Sequence, residues 1–246
     1  MKYTNDLGQP IGHPIPNWTP RCRPLATTVV GHWCRLEPLD PTRHADALYD
    51  ANRADEQGGM WTYVPHGPFG DRASYRAWLT GLAGREDPLV FAIVDQGHGR
   101  ATGLAAFQSI NPQAGRIEVG HVAFSPGLQG TTPATEAMAL MMATVFDTLG
   151  YRRYEWQCDA LNARSRRAAL RLGFSYEGTF RQATVVKGRN RDTVWLSIID
   201  TEWPRLAAAF KRWLSPDNFD AEGNQRTSLS ELTRGTVPTR AADRPT

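Results

Sequence analysis

The order of apolar patterns along the chain limits its fold more than any other feature of the sequence. Apolar runs and the alternation of apolar with polar residues predict strands, which lie at residues 29–39, 89–95, 101–110, 116–124, 153–159, 174–186 and 192–199. Apolar residues at helical spacing predict helices, which begin near residues 40, 71, 133, 165 and 203. Together these patterns predict an α/β fold, in which helices flank a central, mixed and mostly antiparallel sheet.

The two ends of the chain lack this periodicity. Residues 1–28 contain five prolines, which favour an extended arm over regular secondary structure. Residues 215–246 are polar and poor in large apolar side chains, so we expect a loose C-terminal tail there. Residues 29–214 remain between them, and this length fits one compact domain.

Composition and charge exclude several classes of protein. The 28 Lys and Arg residues exceed the 25 Asp and Glu residues by only three, and so small a charge does not favour nucleic acid as a partner. The sequence has no apolar run of the ~18 residues that a membrane helix needs, so no membrane partner is expected. The three cysteines cannot all pair and form no Cys-x-x-Cys motif, which favours free thiols in the reducing cytoplasm. No His, Cys and Asp cluster has metal-ligand spacing, so we expect no bound metal.

A loop of Gly, Thr and Pro joins the predicted strand 116–124 to a long predicted helix over 133–149. Thr132 fits the N-cap of this helix, and Pro133 fits its first position, where the missing N–H costs nothing. Backbone N–H groups at a helix N-terminus can converge on an anion, and the candidates here are Gly130, Thr131, Thr132, Ala134 and Thr135. The same residues also suit an ordinary capped helix start, so taken alone they leave both interpretations open.

Several segments around this loop, taken in order, resemble the GCN5-related N-acetyltransferases (GNAT): Ile117–Phe124, Gln129–Ala137, Asn162–Ser165 and Leu172–Phe174. Within that family, residues 35–48 and 191–203 make the chain most similar to the branch that acetylates the N-termini of ribosomal proteins. The resemblance covers about residues 29–214. It implies the GNAT fold, acetyl-CoA as the donor and a primary amine as the acceptor.

The resemblance also implies which residues bind coenzyme A. Gln129 and Ala134 match the loop pattern of the family, whereas Thr132 stands where a glycine is usual, and its Cβ narrows the allowed backbone conformations. Asn162 matches the position that orders the pantetheine arm, and Arg167 lies in an arginine-rich segment suited to phosphate. The predicted cofactor-binding residues, of which the first two would polarise the thioester carbonyl through their N–H groups, are Ala123, Phe124, Gln129, Gly130, Thr131, Thr132, Ala134, Thr135, Asn162 and Arg167.

Two side chains are predicted to move protons. In the family a glutamate on the central strand accepts the proton of the amine, and Glu118 takes that position here. His121 is the rival base because its pKa is naturally near neutral, although strand alternation puts it on the opposite face from Glu118 unless a bulge intervenes. Other branches protonate the leaving thiolate with a tyrosine, but Ala169 stands at that position, so Ser165 is the predicted proton donor.

A loop between the first two predicted helices offers a wall for the acceptor. Residues 54–70 are rich in Gly, Pro and aromatic residues, and we expect Trp61 and Tyr63 to contact the acceptor there. The predicted function is direct N-acetylation, with a protein N-terminus as one candidate acceptor. A small-amine or antibiotic acetyltransferase and a catalytically silent acyl-CoA-binding module stay open as alternatives, and the sequence is compatible with a monomer or a homodimer.

Overall fold

A single mixed sheet organises the computed structural model, which describes residues 3–234. The chain first forms a small hairpin of β1 (Tyr3–Thr4) and β2 (Pro10–Ile11). The main sheet then contains β3 (Val29–Val30), β4 (Cys34–Pro38), β5 (Leu89–Asp95), β6 (Ala101–Asn111), β7 (Arg116–Phe124), β8 (Arg153–Asp159), β9 (Ser175–Val186) and β10 (Arg189–Ile199). Their spatial order is β3-β4-β5-β6-β7-β8-β10-β9, and within the described residues only β7 and β8 pair parallel. The predicted mixed, mostly antiparallel sheet is confirmed.

The helices that flank the sheet are α1 (Pro41–Asn52), α2 (Arg72–Leu82), α3 (Thr132–Ala143), α4 (Ala163–Arg171), α5 (Trp203–Trp213) and the short α6 (Leu229–Thr233). The first of them begins where the sequence predicts: Asp40 caps it by accepting from the Thr42 N–H, and proline occupies its first turn. The long helix predicted over 133–149 is shorter, because a π-helical turn (Thr144–Thr148) follows α3.

The residues of β5 show how the sheet separates two hydrophobic cores. Phe91 and Ile93 join a core that includes side chains of α3 and α5, whereas Ala92 and Val94 join a core that includes side chains of α1 and α2. All four residues are buried. Both faces of this strand are therefore covered, which explains why its sequence is a continuous apolar run.

The single strand predicted at residues 29–39 is instead two strands. The chain reverses between β3 and β4, which pair antiparallel. The buried carboxylate of Glu136, on α3, accepts hydrogen bonds from the backbone N–H groups of His32, Trp33 and Cys34 at 2.7–2.8 Å. Because Glu136 lies 102 residues beyond Cys34, the local sequence pattern does not reveal this reversal.

The arm around Trp18 and the C-terminal end of the described chain both pack on the domain. In the arm, Trp18 Nε1 donates to a backbone carbonyl at 2.9 Å, and two arginine side chains lie over the indole ring. The prediction of a loose tail from residue 215 is wrong up to residue 234, because Leu229 is fully buried and α6 contacts both α4 and α5. A few well-spaced apolar residues are enough to pack this segment on the domain, although the average composition of residues 215–246 is polar. The rest of the predicted tail, 235–246, lies outside the described residues.

Candidate active site

A cleft of about 1390 Å³ opens inside the sheet, between β7 and β8. These two strands pair only over their first residues, Arg116–Val119 with Arg153–Trp156. Beyond that point β7 stays with β6 and β8 stays with β10, so the two strands separate. Side chains from β6, β7, β8, β10 and α4, and from the loops after α1 and β7, line the gap.

A bulge in β7 allows His121 and Glu118 to contact the same side chain, that of Gln108. Two residues of β7, His121 and Val122, stand opposite the single residue Ala105 of β6, and His121 has φ +49°. The amide of Gln108 lies between the two side chains: its Nε2 donates to Glu118 Oε1, and its Oε1 is 2.8 Å from His121 Nδ1. Simple alternation predicts opposite faces for Glu118 and His121, and the bulge corrects that prediction.

Gly120 lets the Gln108 amide cross the strand. A Cβ atom at this position would overlap all three terminal atoms of the Gln108 side chain. The hydrogen-bonded series from Glu118 through Gln108 to His121 therefore depends on a glycine immediately before the bulge.

Glu118 is a buried carboxylate surrounded by hydrogen-bond donors. Besides Gln108, Ser109 Oγ and Gln157 Nε2 donate to its Oε2 at 3.0 and 2.9 Å. Glu118 is only 5% exposed, and burial raises the pKa of this carboxyl to about 7, although the hydrogen bonds from Ser109 and Gln108 oppose the rise. A carboxyl group with this pKa exchanges its proton near neutral pH.

Two histidine rings lie beside this carboxylate network. The rings of His66 and His121 stack with centroids 5.9 Å apart, and His66 also stacks on Trp78 at 4.5 Å. Burial, together with the charges of His121 and Lys187, lowers the pKa of His66 to about 4, and burial also lowers the pKa of His121. Both rings are therefore neutral at pH 7. Because His121 Nδ1 faces the Gln108 oxygen, Nδ1 carries the proton and Nε2 keeps its lone pair.

The N-terminus of α3 also borders the cleft. Thr131, rather than the predicted Thr132, is the N-cap: it has the extended backbone of a cap, and its hydroxyl accepts from the Ala134 N–H at 3.3 Å. The N–H groups of Thr131 and Thr135 bond to backbone oxygens, so three of the five N–H groups predicted to be free for an anion are engaged. Within residues 3–234 no acceptor meets the N–H of Gly130 or Thr132, and of these two Gly130 borders the cleft.

Arg171 brings an uncompensated positive charge to the start of α3. Its guanidinium donates to Thr135 Oγ1 at 3.1 Å and lies over the ring of Trp213, 5.1 Å from the ring centroid. No carboxylate of the described residues forms an ion pair with it, and burial lowers the pKa of this guanidinium. Arg164 and Arg167 border the same cleft. Cations without counter-ions beside a free helix N–H fit a phosphate-bearing ligand such as coenzyme A.

The start of α4 holds Ser165 in the cleft. Asn162 caps this helix by accepting from the Ser165 N–H at 3.0 Å. Trp156 Nε1 donates to Ser165 Oγ, also at 3.0 Å. A hydroxyl that accepts a hydrogen bond from the indole keeps its own proton available to donate. The neighbouring Cys158 is a neutral thiol, because burial raises its pKa.

Trp61 is a core residue, whereas Tyr63 borders the cleft. Trp61 is 5% exposed, and its ring packs edge-to-face on Phe69 and Trp78 with centroids 5.3 and 6.0 Å away. The structure corrects the prediction that Trp61 lines the acceptor groove, because aromatic rings of this loop bury their area against one another. The Trp61 carbonyl instead accepts from Lys187 Nζ at 2.7 Å, which ties the β9–β10 turn to this loop.

Most residues predicted for the site do border the cleft: Glu118, Ala123, Phe124, Gln129, Gly130, Ala134, Thr135, Asn162, Ser165, Arg167 and Tyr63. Trp61, Thr131 and Thr132 are not among the residues that line it. Sequence reasoning missed Gln108, His66, Arg171 and Arg191. Two of them carried a signal: Gln108 is a polar residue directly after an apolar strand sequence, and Arg171 lies in the arginine-rich segment.

Metal-binding groups, membrane-spanning helices and disulfide bonds were looked for in the described residues. No group of three His, Cys, Asp or Glu side chains among residues 3–234 is arranged to hold a metal ion. No helix in this part of the chain is long and apolar enough to cross a membrane. The three cysteines are unpaired, with Cys22 exposed and Cys34 and Cys158 buried.

Comparison with known proteins agrees with this architecture. The sequence pattern of the acetyltransferase (GNAT) domain matches residues 34–175. The crystal structure of a GCN5-related N-acetyltransferase from Brucella melitensis is 44% identical, with a TM-score of 0.87, and the match covers 89% of this chain and 99% of that one.

Two further relatives carry names that mention ribosomal acetylation. YdaF of Bacillus subtilis, a candidate ribosomal N-acetyltransferase, is 23% identical over 175 residues, which are 68% of this chain and 90% of YdaF. RimL, a ribosomal L7/L12 alpha-N-protein acetyltransferase, shares the fold: its structure is 20% identical with a TM-score of 0.61, over 74% of this chain and 98% of that one. With the domain pattern matched over more than half its length and a close structural relative across nearly all of it, this chain belongs to the GNAT family of N-acetyltransferases.

Proposed function

We propose that this chain transfers an acetyl group from acetyl-CoA directly to a primary amine, and that its acceptor is a protein N-terminus. The observation that carries the proposal is Glu118, a buried carboxylate with a pKa near 7 at the point where β7 and β8 separate. An amine nucleophile must lose a proton, and a base whose pKa lies near the working pH accepts it most effectively. A protein that only bound acyl-CoA would have no step that uses such a base.

The donor fits the phosphate-binding side of the cleft. Acetyl-CoA, when bound, supplies the acetyl group as an activated thioester. Arg167, Arg171 and the N–H of Gly130 are the groups suited to its phosphates, because they are cations or donors that border the cleft without a described anionic partner. Ala123 and Phe124 border the cleft near the bulge. Successive N–H groups of a strand point to opposite edges, and the Ser125 N–H bonds to Thr102 on β6, so the Phe124 N–H is the one that faces the gap and we assign it to the thioester carbonyl.

Glu118 accepts the proton of the acceptor amine. Ser109, Gln157 and Gln108 hold its carboxylate through hydrogen bonds, so it is oriented before the amine arrives. The Nε2 lone pair of His121 lies on the far side of the same Gln108 amide and is the alternative acceptor for this proton. Separate substitutions distinguish the two bases.

Ser165 relays a proton to the departing thiolate and recovers one from solvent in the cleft, so that no serine alkoxide is left. Its Oγ accepts from Trp156 Nε1 and its backbone is fixed by the Asn162 cap, so the hydroxyl is held at the cleft beside Cys158, toward which it also donates. Protonation of the thiolate prevents the reverse attack on the new amide. Trp156 acts through Ser165 and is a positioning residue.

The charge of the cleft favours a peptide N-terminus over the alternative acceptors. Four arginines but only two carboxylates, Glu118 and Asp159, are among its lining residues, the arginines being Arg164, Arg167, Arg171 and Arg191. Polyamines and polycationic antibiotics bring several positive charges, for which this lining offers few acidic partners, even when bound CoA engages Arg167 and Arg171. The similarity to YdaF, named for ribosomal acetylation, supports a protein acceptor. A ribosomal acceptor would also agree with the expected cytoplasmic location.

A mass-spectrometric screen tests this proposal. The protein is incubated with acetyl-CoA and with short peptides bearing a free N-terminus, the same peptides with a blocked N-terminus and an internal lysine, monoamines and polyamines. We expect a mass gain of one acetyl group on free N-termini and none on the blocked peptides. Transfer to polyamines alone would favour the small-amine alternative, and binding of CoA without any transfer would favour the silent module.

A further inference from the structure

Two hydrogen-bond donors on β10 face the cleft without a partner. Arg191 and Trp195 both border the cleft. The Nε atom of Arg191 and the Nε1 atom of Trp195 are buried, and no acceptor among the described residues meets either of them. Buried donors almost always have a partner, and neither group has a part in the chemistry derived above. Nine buried polar side-chain atoms of the described residues lack a partner, and of these only Arg191 Nε and Trp195 Nε1 belong to residues that line the cleft, where a ligand can supply the missing acceptor.

Both residues lie toward the side of the cleft that holds Glu118: the charge of Arg191 acts on Glu118, and Trp195 pairs on the neighbouring strand with Gln157, which donates to Glu118. The charge of Arg191 lowers the pKa of Glu118 and also that of Cys158, so its guanidinium lies within electrostatic range of both. No carboxylate of residues 3–234 forms an ion pair with it within 4 Å. The cations suited to coenzyme A phosphates, Arg167 and Arg171, are instead on α4.

The hairpin that carries Arg191 is itself positive. Residues 175–199 contain four basic side chains, Arg181, Lys187, Arg189 and Arg191, against two acidic ones, Glu177 and Asp192. Lys187 ties the hairpin turn to the loop that contains Tyr63, which borders the same cleft. A positive hairpin over one side of a cleft attracts anionic ligands to that side.

We propose that Arg191 and Trp195 bind a carboxylate carried by the acceptor close to its reactive amine. The inference rests on the proposed acetyl transfer and names its acceptor more closely. The planar guanidinium matches a carboxylate, and the indole N–H is a second, neutral donor on the same strand. Such a carboxylate is either an acidic side chain next to a peptide N-terminus or the α-carboxylate of a free amino acid, and the two sources are separable by experiment.

The test measures binding, so that it does not depend on catalysis. The protein saturated with CoA is titrated by calorimetry with the peptides Ala-Glu-Ala-Ala-amide and Ala-Gln-Ala-Ala-amide, and with alanine and alaninamide. We expect about tenfold tighter binding of the carboxylate-bearing member in at least one pair, as a charge-assisted hydrogen bond to an arginine allows. Preference in the peptide pair indicates a side-chain carboxylate, and preference in the alanine pair indicates an α-carboxylate.

Variants then assign the preference to the two donors. Arg191→Gln should abolish the preference for the carboxylate-bearing ligand, and Arg191→Lys should retain part of that preference. Trp195→Phe, which keeps an aromatic ring but removes the N–H, should reduce the preference about threefold. Arg189→Gln is the matched control, because Arg189 is an exposed arginine of the same strand and does not border the cleft. Equal affinity for both members of each pair in the native protein, or an unchanged preference in Arg191→Gln, overturns the inference. Preferential binding of the carboxylate-bearing ligands without any acetyl transfer would contradict the proposed function but still support the carboxylate site.

Discussion

The two ends of the cleft are built in different ways. The phosphate end, which we define by Gly130, Ala134, Arg167 and Arg171, comes from a loop with its helix and from one further helix. The acceptor end is defined by residues from a loop and from three strands: His66, Gln108, Glu118, His121 and Arg191. The first end presents a helix N-terminus and cations, whereas the second presents a buried network of neutral and ionisable groups.

This difference explains why the phosphate end can be predicted from local sequence patterns and the acceptor end cannot. A helix N-terminus offers N–H groups wherever a cap and a loop are encoded locally. A carboxylate with a raised pKa needs burial by residues that meet only after folding. In this chain Gln157 reaches Glu118 from 39 positions away. Changes at the acceptor end should therefore affect chemistry or folding, and changes at the phosphate end should affect affinity for CoA.

The largest effect is expected from Glu118→Gln. This change should lower kcat roughly 10²–10⁴-fold, because an amide cannot accept the amine proton, and it should leave the affinity for CoA nearly unchanged. In the native protein kcat/KM should rise with pH through about 7, because the carboxylate accepts a proton only when it is ionised. Steady-state kinetics from mildly acidic to alkaline pH measure both. If His121→Gln causes the loss and Glu118→Gln does not, His121 is the base.

Trp61→Ala should destabilise the folded protein rather than impair acceptor binding directly. Removal of this buried indole, which packs on Phe69 and Trp78, should cost about 3–5 kcal/mol of unfolding free energy. Urea titration measures this loss. The matched variant Tyr63→Ala changes a half-buried ring that borders the cleft, so it should raise the acceptor KM with little loss of stability. If Trp61→Ala instead leaves the stability unchanged and raises the acceptor KM, Trp61 contacts the acceptor, as the sequence analysis predicts.

The smallest of these effects is expected from Arg171→Met. It should raise the Kd of CoA about tenfold, because one charge-assisted contact to phosphate is lost, and it should leave the acceptor KM unchanged. The dependence of Kd on salt should also weaken, since one screened charge is removed. Calorimetry at two salt concentrations measures both effects. Arg181→Met, on the exposed strand β9, is the control, and an equal effect of the two changes would contradict a specific role for Arg171.

Local sequence signals predicted much of the fold and part of the site. The capped start of α1 and the limits of β5, β7 and β8 agree with the structure, because caps and periodicity act within a few residues. Glu118 and Ser165 were found by resemblance, and both border the cleft. Two of the errors share one cause, which is contacts remote in sequence: Glu136 binds the turn that reverses the chain before β4, and packing on Trp78 buries Trp61.

The sequence by itself determined the family, the order of strands and helices, and the helix start suited to phosphate, since each depends on short-range patterns. Only the tertiary structure decided how the acceptor end works. The bulge at His121 turns that ring toward Gln108, burial raises the pKa of Glu118, and folding leaves Arg191 without a described anionic partner. These properties depend on dielectric environment and on contacts between separate strands, and neither exists until the sheet has formed.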